Sequence, residues 1–112
     1  MTSVSPALKK RFLPRDSANQ ITQSVIDYIR MKGGKATRIN TGQRLGVRFG
    51  EVGAADVIGC YRGRYVAVEV KAGKDVLSEK QLEWLNDARR AGGVTVIAYS
   101  LQDVIDALAG IR

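Results

Sequence analysis

The chain has 112 residues, a length that suits one domain with one modest hydrophobic core. With no histidine and a single cysteine, it excludes a histidine-metal nuclease site, a Ser-His-Asp triad and a four-cysteine zinc site within one chain. A net charge of +7, with no apolar run near the ~20 residues of a membrane span, favours a polyanionic partner over a membrane.

The N-terminal residues 1–17 contain both prolines, little periodicity and a basic cluster at residues 9–11. They predict a flexible arm ahead of a single domain over residues 18–112. No apolar region follows the basic cluster, so we do not interpret it as a signal peptide. We expect Cys60, inside a predicted strand, to be a reduced and buried small hydrophobe. These features together indicate a cytoplasmic protein.

The first half of the domain begins with a helix over Ala18–Met31, because its apolar residues recur at helical spacing and two glycines follow it. Lys35–Asn40 alternates in the manner of a strand. The segment 41–53 is rich in glycine and basic residues. It predicts a loop or a short strand that borders the functional site.

A β-hairpin over residues 53–71 is the most informative segment, since two apolar strands flank a polar turn that contains glycine. Its strands carry Asp56 and Glu69 in otherwise apolar sequence. A buried carboxylate costs several kcal/mol unless it is paired, and a divalent cation is one possible partner. Glu69 and Lys71 share a strand face. Two carboxylates and an ammonium around one point are suited to metal-assisted phosphodiester hydrolysis.

The last third predicts a helix over Glu79–Ala91, a buried strand over Val94–Tyr99 and a helix over Leu101–Ala109. The inner stripe of the first of these helices is predicted to be Leu82, Leu85 and Ala88. The element order is therefore αβ(β)ββαβα. Four or five strands with flanking helices make one α/β layer fold.

Positive charge is densest around the predicted hairpin. Residues 30–74 hold ten Lys or Arg and three Asp or Glu, whereas residues 75–112 hold four and six. Such a block steers a polyanion and holds it through phosphate contacts. Our candidates for nucleic-acid binding are Arg38, Arg44 and Arg48. The alternative is that scattered basic residues only aid solubility.

Four features of the sequence form one motif: Asp56, a hairpin, Glu69-Val70-Lys71 and a downstream Gln81 at the start of a helix. This set resembles the core of the PD-(D/E)xK nucleases and is similar to the small, stand-alone VRR-NUC domains, many of them encoded by bacteriophages. The resemblance extends over roughly residues 18–108. It implies a restriction-endonuclease-like core, with a mixed sheet of four or five strands flanked by helices.

The resemblance also implies a role for each motif residue. Asp56, Glu69 and the backbone carbonyl of Val70 would be ligands of Mg²⁺ or Mn²⁺, which prefer oxygen. Lys71 would orient the attacking water or stabilise the charge that develops on phosphorus. Gln81 would hydrogen-bond the same water. The implied catalytic residues are therefore Asp56, Glu69, Lys71 and Gln81.

Two positions leave alternatives open. Gln81 is the fourth residue of a capping box that begins at Ser78, so its role could be to close the helix start. The family usually has a glutamate near the start of the first helix, where this chain has Ala18. Gln20 is the nearest polar residue that we expect to face inward, and it could hold a metal-bound water without the charge of a carboxylate.

The resemblance implies a homodimeric DNA endonuclease that acts on branched DNA, as Holliday-junction-resolving enzymes do. Neither a membrane nor a small-molecule cofactor is expected. One alternative is a flap or linear-duplex nuclease of the same class. Another is a catalytically silent DNA-binding module, which the missing first-helix glutamate motivates.

Overall fold

The fold is described by a computed structural model over residues 17–39, 42–44 and 47–112. Of residues 42–49 only strand backbone is described, and the predicted arm lies outside the described residues except for Ser17. The elements are α1 (Ala18–Met31), β1 (Lys35–Arg38), β2 (Gly42–Arg44), β3 (Val47–Phe49), β4 (Val57–Tyr61), β5 (Arg64–Val70), α2 (Glu79–Arg90), β6 (Val94–Ala98) and α3 (Leu101–Ala109).

The main sheet has four strands in the order β1-β4-β5-β6. The pairs β1/β4 and β4/β5 are antiparallel, and β5/β6 is parallel. A parallel pair needs a crossover connection, which α2 supplies. This mixed sheet confirms the predicted α/β architecture. The segment after β1 forms a separate antiparallel hairpin of β2 and β3, two short strands where at most one was predicted.

The β4–β5 hairpin turns at Arg62-Gly63, where φ is 50° and 78°. Two successive positive φ angles are typical of the type I′ turn, whose twist matches that of the flanking strands. Tyr61 pairs with Arg64 across this turn, and the register continues to Val57 opposite Val68. Asp56 therefore lies directly before β4 rather than within a strand.

Helices cover both faces of the sheet. The main core lies between the sheet and the helices α1 and α3, and it includes Val66, Val68 and Val70 of β5. A smaller cluster of Ala55, Ala67 and Leu85 lies under α2. Because side chains alternate along β5, the odd-numbered Glu69 projects toward the α2 side. Within the described part of the chain, no helix is long and apolar enough to cross a membrane.

Helix α1 has the predicted bounds and begins at a capping box, in which Ser17 and Gln20 bond each other's backbone N–H groups. The prediction that Gln20 faces inward is wrong. Its side chain is exposed, because the third residue of a capped helix must turn back toward the cap to reach its N–H group. The side-chain oxygen of Gln20 is therefore used to accept from the N–H of Ser17 at the start of α1.

Two further burial predictions are wrong. Leu82 is 47% exposed, because Gln81 takes the inward position at the start of α2 and a helix buries one stripe only. Cys60 is exposed. Side chains alternate along β4, and Tyr61 enters the main core. The side chain of Cys60 therefore lies on the opposite face of the sheet, where it is not part of the buried cluster under α2.

Candidate active site

Glu69 lies in the interior of the sheet, near the end of β5. Its neighbour in β6 is Ile97, and continuation of the hairpin register places Asp56 opposite it on the other side. The residue is 2% exposed. A carboxylate is thus held among apolar strands with little contact with water, which is costly unless its oxygens are bound.

Within the described part of the chain, protein groups contact one of the two oxygens of Glu69. Its Oε2 accepts a hydrogen bond of 2.8 Å from Nε2 of Gln81 and lies 3.4 Å from Nζ of Lys71. Its Oε1 is buried and has no hydrogen-bond partner among the residues that the structure describes. Such an atom calls for an explanation, and an ion is one of the usual ones. The carboxylate is therefore fixed through one oxygen, and the other is unpaired.

The surroundings of Glu69 favour its neutral form. Burial is the main cause that raises the pKa of Glu69 to about 7, and the negative charge of Asp56 raises it further. The ammonium of Lys71 acts in the opposite direction, by its charge and by its hydrogen bond. A carboxyl group with a strongly raised pKa beside a specific charged partner is typical of functional sites.

Asp56 is fixed against β5 by the backbone. Its Oδ2 accepts a 2.8 Å hydrogen bond from the N–H of Val70, and its own carbonyl accepts one of 2.7 Å from Ile39. The residue therefore bridges the end of β1 and the end of β5. One carboxylate oxygen of Asp56 is used in this way, beside the residue pair Glu69 and Lys71.

Gln81 closes the start of α2 and also contacts Glu69. Its Oε1 accepts from the N–H of Ser78 at 2.9 Å and thereby closes the capping box of α2. Its Nε2 donates to Glu69. An amide nitrogen carries two hydrogens, so this contact leaves one for a water. The helix cap and the candidate site therefore share one side chain.

The donor set suits a hard divalent cation. Asp56 and Glu69 offer carboxylate oxygens, and Mg²⁺ is commonly held by one or two carboxylates together with waters and phosphate. The unpaired, buried Oε1 of Glu69 is the observation that fits such an ion. Among the described residues, no group of three or more His, Cys, Asp or Glu side chains could hold a metal. These residues therefore fit one ion held by few protein ligands.

The first helix contributes no carboxylate at its start. Ala18 is half-buried and packs against the main core. The next residue, Asn19, accepts a 2.6 Å hydrogen bond at Oδ1 from Nη2 of Arg38. The guanidinium of Arg38 is thus bonded to α1. The next residue, Ile39, donates its N–H to the carbonyl of Asp56, so Arg38 lies close to the segment that carries Asp56.

The predicted nucleic-acid contacts are described unequally. Arg38 is exposed at the end of β1, whereas the side chains of Arg44 and Arg48 lie outside the described residues. Sequence reasoning missed Asn19 as the partner of Arg38. It predicted the capping box between Ser78 and Gln81, but only the fold reveals that Gln81 bonds Glu69 as well.

Comparison with known proteins agrees with this geometry. The family model described as "VRR-NUC domain" matches residues 46–102, slightly more than half of the chain. The chain belongs to the VRR-NUC domain family. This places it in the PD-(D/E)xK nuclease superfamily.

A solved structure supports the fold independently. Hjc, a Holliday junction resolvase from the archaeal hyperthermophile Archaeoglobus fulgidus, is similar with a TM-score of 0.54 and 21% sequence identity. The similarity covers 73% of this chain and 67% of that one. At this identity the likeness extends to the fold of the VRR-NUC domain alone. No curated protein sequence matches the chain.

Proposed function

We propose that this VRR-NUC domain is a divalent-metal-dependent endonuclease that hydrolyses phosphodiester bonds in branched DNA, of the Holliday-junction-resolving type, and acts as a homodimer. The observation that carries this proposal is Glu69, a buried carboxylate whose Oε1 is unpaired while Lys71 and Gln81 hold its Oε2. A structural ion pair has no need of an unpaired buried oxygen, whereas a metal ligand does.

Mg²⁺ or Mn²⁺ would be held by Asp56, Glu69 and the carbonyl of Val70. When bound, such an ion lowers the pKa of a water and neutralises charge on a phosphate. Lys71, which is fixed beside Glu69, stabilises the negative charge that develops on the phosphate oxygens. The second amide hydrogen of Gln81 orients the attacking water. The α2 helix and the hairpin thereby present the reacting groups at fixed positions.

DNA would be held by the basic surface around this site. Arg38 is exposed and braced by Asn19, which lowers the entropy that its side chain loses when it binds a phosphate. Arg44 and Arg48 belong to the β2–β3 hairpin that follows β1, and we propose them as further phosphate contacts. Phosphate contacts of this kind position the duplex without reading its sequence.

The homodimer follows from the geometry of the proposed substrate. A four-way junction has twofold symmetry, and paired cuts in it require two active sites that are related by a twofold axis. One chain offers one such site among its described residues. Light scattering at micromolar protein should therefore give twice the mass of the 12.2 kDa chain. A monomer under these conditions would contradict the resolving version.

Cleavage of a labelled four-way junction and a matched linear duplex, in Mg²⁺, Mn²⁺ or EDTA, tests the activity. We expect paired cuts on the junction with either metal and none in EDTA. Glu69→Gln keeps the shape of the side chain but removes the charged ligand, so cleavage should fall about 1,000-fold or more. Glu83→Gln is the matched control, because Glu83 is an exposed glutamate of α2 that forms an ion pair with Lys80 on the surface.

Other outcomes would point to the alternatives. Cleavage of a flap or a linear duplex but not of the junction would favour a replication or restriction nuclease of the same class. Binding without cleavage, unaffected by metal, would favour a silent DNA-binding module. The absence of a carboxylate at Ala18, together with the exposed, cap-bonded side chain of Gln20, is the specific observation behind this second possibility.

A further inference from the structure

The orientation of the Gln81 amide is determined by its two partners. The N–H of Ser78 can only donate, so the amide oxygen of Gln81 must face it. The amide nitrogen is then directed at Glu69, whose carboxylate can accept. A flipped amide would place two donors together at Ser78 and two acceptors together at Glu69. The capping box therefore selects one orientation of Gln81.

This orientation also determines which oxygen of Glu69 is free. Gln81 and Lys71 both approach Oε2, so rotation of the carboxyl group is opposed from two sides. Oε1 is left buried and, among the described residues, without a partner. The start of α2 is thus coupled, through one glutamine side chain, to the choice of the Glu69 oxygen that is left for a ligand.

We propose that Ser78 is a positioning residue for the active site. Its hydroxyl accepts a hydrogen bond of 3.1 Å from the backbone N–H of Gln81 and fixes the first turn of α2, so that the N–H of Ser78 stays on Oε1 of Gln81. The Gln81 amide nitrogen is thereby held on Oε2 of Glu69, which leaves Oε1 as the oxygen that binds the cation. This inference rests on the proposed function for the identity of the ligand. Outer residues that orient a metal ligand typically affect metal affinity or activity 10- to 100-fold.

The chain contains a matched control for this idea. Helix α1 begins with the same kind of capping box, in which the Ser17 hydroxyl accepts from the Gln20 N–H and Gln20 Oε1 accepts from the Ser17 N–H. The side chain of Gln20 is exposed, and its hydrogen bonds within the described residues are those to Ser17. Ser17→Ala and Ser78→Ala therefore remove equivalent capping hydroxyls, and only the second removes one whose helix start is joined to Glu69.

Two measurements on the full chain test the proposal. In metal-free protein, NMR reports the side-chain amide of Gln81 and the carboxyl carbon of Glu69. Titration with Mn²⁺ alone gives the metal affinity. We expect Ser78→Ala to shift both NMR signals and to weaken Mn²⁺ binding about 10-fold. Ser17→Ala should lose a similar amount of stability but leave the NMR signals and the Mn²⁺ affinity unchanged. Ser78→Thr keeps a capping hydroxyl, so its NMR signals and Mn²⁺ affinity should be close to those of the wild type.

The outcomes separate this proposal from the proposed function. If Ser78→Ala leaves the NMR signals and the Mn²⁺ affinity as in the wild type, the positioning role of Ser78 is overturned while metal-dependent cleavage stands. If Ser17→Ala weakens Mn²⁺ binding as much as Ser78→Ala does, the effect is general destabilisation and the positioning role is again overturned. If the wild type binds no Mn²⁺ at all, both the metal-dependent function and the cation-binding part of this inference fail.

Discussion

At the scale of single residues, the raised pKa of Glu69 makes a proton compete with a cation for this site. Burial and the nearby Asp56 raise the pKa of Glu69 to about 7, so near neutral pH the metal-free site binds a proton about half of the time. A cation must displace that proton to use both carboxylates. Metal affinity should therefore rise with pH through the neutral range.

Without metal, the stability of the folded protein should depend on pH through Glu69. The folded pKa of Glu69 is about 7 and its ordinary value is 4.5, so between these values the folded state binds more protons than the unfolded one. Stability from this group is therefore present below pH 4.5 and is lost as pH rises through 7. In EDTA, we expect the wild type to lose about 2 to 3 kcal/mol between pH 5 and pH 8 from Glu69 alone.

Urea unfolding of the wild type and of Glu69→Gln across this pH range isolates the effect. The glutamine cannot ionise, so the contributions of the other titrating groups cancel when the two curves are subtracted. The stability of Glu69→Gln relative to the wild type should increase as pH rises. Parallel curves would mean that Glu69 ionises in the folded protein as readily as in the unfolded chain.

At the scale of elements, the site depends on contact between the segment that carries Asp56 and the start of α2. Gly53, three residues before Asp56, has a φ of 85°, and a Cβ placed on it would lie 2.5 Å from the carbonyl oxygen of Lys80. Lys80 directly precedes Gln81. A close backbone approach, which only glycine allows, therefore sets the distance between the two sides of the site.

Gly53→Ala tests this contact, with Gly73→Ala as its control. Both glycines have positive φ, and each alanine should lose about 1 to 2 kcal/mol of stability for that reason. Open space surrounds Gly73, whereas Gly53 contacts α2. Gly53→Ala should therefore lose a further 1 to 3 kcal/mol, roughly, and reduce cleavage about 10- to 100-fold by displacing Gln81. Equal effects of the two substitutions on cleavage would contradict this coupling.

The same elements show what sequence could and could not predict. Periodicity predicted α1 and α3 with their observed bounds, because a helix that packs on a sheet repeats its buried positions regularly. It misjudged Leu82 and Cys60, because periodicity identifies an apolar stripe but not which part of it a neighbour covers. The motif predicted that Asp56 and Glu69 would meet. The bonds of Gln81 depend on side-chain directions that no spacing specifies.

At the scale of the whole molecule, positive charge is concentrated in the part of the chain that contains the candidate site, so the DNA of the proposed function would be attracted toward that site. The net charge of +7 is concentrated between residues 30 and 74, while residues 75–112 carry more acidic than basic groups. Such an asymmetry orients a polyanion during approach as well as increasing its affinity. Charge position, rather than total charge, should therefore control binding.

A pair of charge-equivalent substitutions tests this last point. Arg38 lies at the end of β1 beside the segment of Asp56, whereas Arg62 lies in the hairpin turn at the opposite end of β5 from Glu69. Each change to alanine removes one positive charge. If Arg38 neutralises a phosphate, Arg38→Ala should reduce the slope of log Kd against log salt by about 1, and Arg62→Ala should leave it unchanged. Equal reductions of the slope by both substitutions would show that DNA affinity depends on net charge alone. Arg38 would then not be part of a specific DNA-binding surface.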